Sequence, residues 1–222
     1  MDLGRPTVDR TAPSAGTDRV FVVDDDPAVR RALTRLLRSC GFSTTSFGSA
    51  ENLLAAARPD DVPTCLVVDL RMPGLSGLDL QDLLMQQGLD MAIVFISGRA
   101  SLESGVRAMK GGAVDFLEKP VCEETLLPAV RRALEQDRRT KSRRSDVAAL
   151  QVRFDSLTPR EQDVFSLVVS GLLNKQVGAE LGAAEKTIKV HRARVMQKMA
   201  AGSLVELVRM ADRLGRPGTA GG

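Results

Sequence analysis

Four short apolar runs punctuate the first 120 residues, and each delivers a polar group at its C-terminal end. Val20 to Val23 ends in Asp24-Asp25-Asp26, Cys65 to Val68 in Asp69, Ala92 to Ile96 in Ser97, and Val114 to Leu117 leads to Lys119-Pro120. Runs this short and this rich in Val and Ile predict strands. Between them the apolar positions switch to helical spacing. Asp26-Pro27 reads as an N-cap followed by proline at the first helical position, and Val29, Leu33, Leu36, Leu37 and Cys40 form one stripe up to Gly41. Thr44 to Phe47 reads as a weaker strand, and Ser49 to Arg58 as a helix stopped by Pro59. A loop from Met72 to Gly77 precedes a helix through Leu80, Leu83 and Leu84. Ser101 to Lys110 reads as a helix closed by Gly111-Gly112, and Glu123 opens one whose face is Leu126, Leu127, Val130 and Leu134. Five β-α units predict a parallel sheet with helices on both faces. In such a sheet ligands bind at the C-terminal strand edge, where all four polar endings fall.

The pattern changes after Arg131. Up to Arg153 the chain is dense in charge, with Arg138-Arg139-Thr140-Lys141-Ser142-Arg143-Arg144 uninterrupted by Pro or Gly; it reads as a solvated helix extending the preceding one or as a flexible linker, and the helix is the favoured reading. From Leu157 the apolar spacing is wholly helical. Thr158-Pro159-Arg160-Glu161 and Ser203-Leu204-Val205-Glu206 are capping boxes, and Gly171 and Gly182 separate the segments between them. Four short helices joined by tight turns suit a helix-turn-helix module. The expected organisation is a polar tail (1–17), an α/β domain (18–137), a helical linker (138–153), an all-α domain (154–215) and a second tail (216–222).

Charge divides along the same lines. Residues 18–128 carry 11 Lys and Arg against 16 Asp and Glu, 129–152 carry 7 against 3, and 153–222 carry 11 against 7. An acidic first half followed by a basic second half suits a cation-binding domain joined to a polyanion-binding one. Cys40, Cys65 and Cys122 have no metal-ligand spacing and are read as buried free thiols of a reducing cytoplasm. No apolar stretch approaches the roughly 18 residues of a membrane span, and the first 18 residues lack the apolar core of a signal peptide.

The first domain's edge suits phosphoryl chemistry. Carboxylates at Asp24, Asp25 and Asp69 are the hard oxygen donors Mg²⁺ prefers, and a cation relieves their mutual repulsion. Asp69 can then act as a carboxylate nucleophile. Lys119 can meet phosphoryl oxygens as a point charge and Ser97 can donate a hydrogen bond. With Val68-Asp69-Leu70-Arg71-Met72-Pro73-Gly74 between them, these residues resemble the receiver domain of two-component response regulators, a CheY-like, flavodoxin-like fold. The resemblance implies that Asp69 is the phosphoacceptor and that Asp24, Asp25, Asp69 and the backbone carbonyl of Arg71 hold Mg²⁺ (or Mn²⁺). It implies that Ser97 and Phe116 are the switch positions and that Lys119-Pro120 is cis. Phe116 lacks the phenolic hydroxyl found in many relatives.

The second domain resembles a LuxR-type helix-turn-helix. Asn174-Lys175-Gln176-Val177 with Glu180-Leu181-Gly182 matches the scaffold helix, and Glu185 to Arg194 matches the recognition helix. Lys186, Lys189, Arg192 and Arg194 place four cations on one short helix suited to the major groove. The candidate DNA contacts are Lys175, Lys186, Thr187, Lys189, Val190, His191, Arg192, Arg194 and Lys198. Two departures are expected to weaken this domain. Ala184 stands where relatives often place an N-cap Ser, at a cost on the order of 1 kcal/mol. Gly178 sits inside the scaffold helix, at roughly 0.5–1 kcal/mol relative to Ala.

Together the two halves resemble the FixJ branch of the FixJ/NarL class. The implied function is a cytoplasmic bacterial transcription regulator, not an enzyme. A sensor histidine kinase would phosphorylate Asp69, the face from Ser101 to Leu134 would dimerise, and the dimer would bind a double-stranded promoter, with RNA polymerase as a further partner. Two alternatives compete. Asp24-Asp25-Asp26 loosely fits an Asp-x-Asp phosphatase of the haloacid dehalogenase type, although Pro27-Ala28 replaces the usual Gly-Thr. The other is a receiver that ignores phosphate and binds DNA constitutively.

Overall fold

The computed structural model describes residues 18–98 and 102–216. The chain divides into two compact units, Met1–Lys141 and Ser142–Gly222. The first contains five parallel strands, β1 (Arg19–Val23), β2 (Ser43–Phe47), β3 (Thr64–Asp69), β4 (Ala92–Ser97) and β5 (Asp115–Glu118), in spatial order β2-β1-β3-β4-β5. Helices α1 (Pro27–Ser39), α2 (Ala50–Ala56), α3 (Gly77–Gln86), α4 (Leu102–Lys110) and α5 (Glu123–Asp155) alternate with them. Adjacent residues of one strand serve opposite faces, as the pleat requires. Val20 and Val22 pack with Leu33 and Leu37 of α1 and with Leu126 and Val130 of α5. Phe21 and Val23 pack on the other side with Leu53 of α2, Leu80 of α3 and Ala108 of α4. Both faces are covered, which is why the central strands read as continuous apolar runs.

Several boundaries moved by a residue or two. The helix expected to reach Arg58 ends at Ala56, with Ala57 extended. Pro59 disfavours helical backbone at Arg58, so the helix stops before it. Arg216, where the second tail is expected to begin, has its guanidinium 4.1 Å from the Phe154 ring centroid. The thiols are a clearer correction. Cys65 is buried, but Cys40 is half-buried at the C-cap of α1 and Cys122 is exposed. The first tail (1–17), residues 217–222 of the second and the expected helix start at Ser101 lie outside the described residues.

The segment 138–153 is helical, as the second part of α5. Within the second unit follow α6 (Pro159–Val169), α7 (Asn174–Glu180), α8 (Glu185–Met199) and α9 (Leu204–Arg213). The first capping box forms, with Thr158 and Glu161 exchanging reciprocal hydrogen bonds at the start of α6. The second forms in half: the Ser203 hydroxyl accepts from the Glu206 amide, but Glu206 Oε2 accepts from the Gly202 amide at 2.8 Å rather than from Ser203. The core gathers Phe165, Val177, Ile188, Val195, Met199 and Leu207. No helix among the described residues is long and apolar enough to cross a membrane.

Ala184 makes no side-chain cap, as expected. Gly178 has another explanation. A Cβ there would stand 2.7 Å from the carbonyl oxygen of Ala183, while the Ala183 amide donates to the Gly178 carbonyl at 2.9 Å. The glycine lets the turn into α8 fold back onto α7. Its helix-propensity cost is the wrong measure of its contribution.

Candidate functional site

Strand order reverses between β1 and β3, and their C-terminal ends carry Asp24 and Asp69 on either side of that switch point. Such a crevice is where doubly wound sheets bind ligands. One oxygen from each of Asp24, Asp25 and Asp69 lies within 4.8 Å of the others. Asp24 and Asp69 are buried and Asp25 is exposed, so the cluster opens to solvent on one side. The third aspartate of the run takes no part. Asp26 caps α1, its Oδ1 accepting from the Ala28 amide at 2.7 Å.

Lys119 completes the site. Its Nζ donates to Asp24 Oδ2 and to Asp69 Oδ2, both at 2.8 Å. The following peptide bond to Pro120 is cis. The Lys119 amide donates to the Ser97 carbonyl at 2.8 Å, so the loop after β5 is registered on the end of β4. Burial pushes the Asp24 carboxyl up, and the Lys119 hydrogen bond only partly opposes it. Burial alone would lower the Lys119 ammonium, but the bonds and charges of Asp24 and Asp69 outweigh it and raise the pKa.

Ser97 is buried at the end of β4. Phe116 is half-buried on β5, its ring centroid 6.3 Å from that of Phe95. Arg71 is exposed, and its amide donates to Asp69 Oδ1 at 3.4 Å. Gly77 keeps the entry to α3 tight beneath this turn, since a Cβ there would stand 2.6 Å from the Asp69 carbonyl oxygen. Asp24, Asp25, Asp69, Arg71, Ser97 and Lys119 thus lie at or beside one strand edge, with Phe116 inside β5 opposite Phe95. Arg30 was missed. Its Nη1 donates to the Asp24 carbonyl at 2.6 Å and to the Asp25 carbonyl at 3.3 Å. The available signal was an arginine one turn after the acidic run.

On α8 the helical period turns Ile188 and Val195 inward and leaves Lys186, Thr187, Lys189, Val190 and Arg194 exposed. Lys175 is exposed on α7. His191 and Arg192 are half-buried at the borders of the exposed face. His191 Nδ1 is the one buried side-chain nitrogen or oxygen without a partner among the described residues, so that edge of the ring faces the interior. Arg192 Nη1 donates to Asn174 Oδ1 at 3.0 Å, joining α8 to α7. Lys198 is placed differently from the other candidates. Its ammonium donates to Glu161 Oε2 at 2.6 Å and to the Ser156 carbonyl at 3.0 Å, which commits it to the start of α6.

Two folded modules, one with an acidic, lysine-bridged crevice and one with a basic recognition helix, define a phosphorylation-type signalling protein fused to a DNA-binding domain. The comparisons agree. Residues 20–131 match the response regulator receiver domain family, and residues 155–211 match the luxR family of bacterial regulatory proteins. Nodulation protein W of Bradyrhizobium diazoefficiens is 52% identical over 196 residues, covering 88% of this chain and 86% of the relative. The transcriptional regulatory protein FixJ of Azorhizobium caulinodans is 44% identical over 196 residues, covering 86% of this chain and 90% of the relative. The structure of the response regulator StyR superposes with a TM-score of 0.78 at 44% identity, covering 89% of this chain and 99% of that one. The chain belongs to the response regulator family, in its branch with a LuxR-type DNA-binding domain, and its relatives are transcription regulators rather than enzymes. Membership sets aside the phosphatase alternative. A receiver implies a kinase partner, and receivers typically bind Mg²⁺ at an acidic pocket of this kind.

Proposed function

We propose that this protein is a transcription regulator switched by phosphorylation of Asp69. The observation that carries this is the lysine bridge: one ammonium 2.8 Å from both Asp24 and Asp69, with Asp25 completing a three-carboxylate cluster. Asp24, Asp25, Asp69 and the Arg71 carbonyl would hold Mg²⁺ (or Mn²⁺), which supplies charge neutralisation for an anionic donor. An Asp69 carboxylate oxygen attacks the phosphorus of a phosphohistidine on a sensor histidine kinase. The P–N bond breaks, the imidazole leaves, and an acyl phosphate forms on Asp69. Lys119 then exchanges its bond to the Asp69 carboxylate for one to the new phosphoryl oxygens, and the Ser97 hydroxyl donates to them. Phe116 packs inward behind Ser97, biasing an active state that already exists in the ensemble.

Dimerisation is the proposed output of the receiver. Leu102, Val106 and Met109, at helical spacing on α4, are 87%, 46% and 48% exposed, an apolar stripe on a receiver whose other large hydrophobics are mostly buried. A second copy of this chain is the proposed occupant. Paired α8 helices would then read half-sites about one helical turn apart on a double-stranded promoter, with RNA polymerase as a later partner. Lys175, Lys186, Thr187, Lys189, Val190, His191, Arg192 and Arg194 form the proposed DNA face. The domain limits 18–137 and 154–215, joined by the helical segment 138–153, remain our assignment, and the proposed site of action is the bacterial cytoplasm.

Native mass spectrometry of the full chain after incubation with Mg²⁺ and a small phosphodonor tests this. One phosphoryl adduct on wild type and none on Asp69→Ala, with dimer enriched in the adducted species, is the expected result. The same adduct on both proteins removes Asp69 from its role. DNA affinity that does not change with the adduct would favour the constitutive alternative.

A further inference from the structure

The three consecutive aspartates Asp24, Asp25 and Asp26 do not share one task. Asp26 turns its carboxylate to the N-terminus of α1. Asp24 and Asp25 turn theirs toward Asp69. Lys119 ties the Asp24 side chain to Asp69, but neither bond reaches Asp25. Like charges within 4.8 Å of one another repel, and a chain leaving the end of a strand is free to rotate them apart.

The backbone supplies the restraint, and one side chain supplies the backbone's partner. The Asp24 amide is held by the Phe47 carbonyl at 3.3 Å, and the Asp26 amide by Asp24 Oδ1 at 2.9 Å. The carbonyls of Asp24 and Asp25 are both met by Arg30 Nη1, at 2.6 and 3.3 Å. A guanidinium nitrogen carries two hydrogens in a fixed plane, so it can serve two successive carbonyls at once. The guanidinium also lies across the turn after β2, 3.7–3.9 Å from where a Cβ on Gly48 would stand. Fixing both carbonyls fixes two peptide planes, and with them the direction in which the Asp24 and Asp25 side chains leave the backbone.

We propose that Arg30 is a positioning residue for the acidic site. It holds the turn after β1 so that Asp24 and Asp25 face Asp69 ready for a divalent cation. The proposal rests on the metal-site assignment above. Its sign is informative because two effects of Arg30 oppose each other. As a charge, the guanidinium repels a cation. As a clamp, it prepares the ligands for one. Charge alone predicts that Arg30→Met binds Mg²⁺ more tightly and that Arg30→Lys leaves affinity unchanged. A clamp predicts that both variants bind more weakly, because methionine donates nothing and a lysine ammonium cannot reproduce the planar fork.

The test is calorimetric titration of the full-length wild type, Arg30→Met and Arg30→Lys with MgCl₂ alone. The rate of phosphorylation by a small phosphodonor is followed as a function of Mg²⁺ concentration. Both variants should lose about tenfold in Mg²⁺ affinity, the scale at which residues that orient metal ligands act. At saturating Mg²⁺ their phosphorylation rates should return to near the wild-type value, a split that general unfolding would not produce. If Arg30→Met fails to fold, Arg30→Lys decides alone. Unchanged affinity in Arg30→Lys, or tighter binding by Arg30→Met, overturns the clamp while leaving the metal site intact. Absence of Mg²⁺ binding by the wild type overturns both.

Discussion

The ammonium of Lys198, near the end of the recognition helix, donates to Glu161, the capping residue of α6, at 2.6 Å. Glu161 is 2% exposed and also accepts from the Thr158 amide at 2.9 Å. One carboxylate therefore closes a helix cap and ties the reading helix to its support. Lys198→Met should destabilise the second unit by about 2 kcal/mol, since it leaves a buried carboxylate without its cation. Calorimetry or circular dichroism reads this, as the chain contains no Trp or Tyr. In DNA binding, the salt dependence should be nearly unchanged for Lys198→Met, whereas Lys186→Ala or Arg194→Ala should each reduce the log–log slope by about 1. A loss of slope for Lys198→Met would return that residue to the DNA face.

The same pair sets a pH dependence. The Lys198 hydrogen bond, helped by the Thr158 amide, holds the Glu161 carboxyl below its ordinary range. A depressed carboxyl stabilises the fold fully above its unfolded value, about 4.3, and loses that contribution as pH falls through the lower folded value. Acid titration of the second unit should show this loss in wild type and a smaller one in Lys198→Met. Equal acid profiles would show that the pair contributes little.

Gly178→Ala should destabilise the second unit by about 1–3 kcal/mol, because the new methyl meets the Ala183 carbonyl at 2.7 Å. Helix propensity alone predicts the opposite sign, a gain of up to about 1 kcal/mol. Thermal unfolding of the two proteins distinguishes the cases by direction.

Lys119→Gln removes the cation shared by Asp24 and Asp69. Without Mg²⁺ the receiver should lose about 3 kcal/mol, the scale of a broken buried pair. Mg²⁺ should restore more stability to this variant than to wild type, since it replaces a charge the variant lacks. Equal Mg²⁺-induced shifts in thermal midpoint would show that the lysine and the cation do not act on the same carboxylates.

Asp137 is 3% exposed and accepts from the Thr64 amide at 2.7 Å and from Lys141 Nζ at 2.8 Å. Lys141 also donates to the Val62 carbonyl at 2.6 Å. These bonds fasten α5 to the start of β3 as far as residue 141. Asp137→Ala should accelerate amide hydrogen exchange at Thr64 and through 138–141 without affecting Asp69 phosphorylation. Unchanged exchange at Thr64 would show that the strand, not the carboxylate, protects that amide.

The sequence by itself determined the sheet, its helices and the polar residues at its C-terminal edge. Strands buried on both faces must be apolar throughout, so the polar residue that ends each run stands out, and Asp24, Asp69, Ser97 and Lys119 were legible for that reason. Helical spacing and capping boxes likewise marked α6 and α9. What tertiary structure decided were the interactions between residues far apart in the chain. Nothing near Lys198 distinguishes it from Lys186 as a cation on α8; only the packing of α6 brings Glu161 beneath it. Gly178 looks like a weak point until the turn at Ala183 closes over it. Arg30 and Asp137 look like ordinary charges on amphipathic helices until the turn after β1 and the start of β3 present carbonyls and an amide to them. Periodicity reports which face of an element is buried, because burial follows side-chain polarity. It does not report which polar group meets which, because that depends on where the other elements pack.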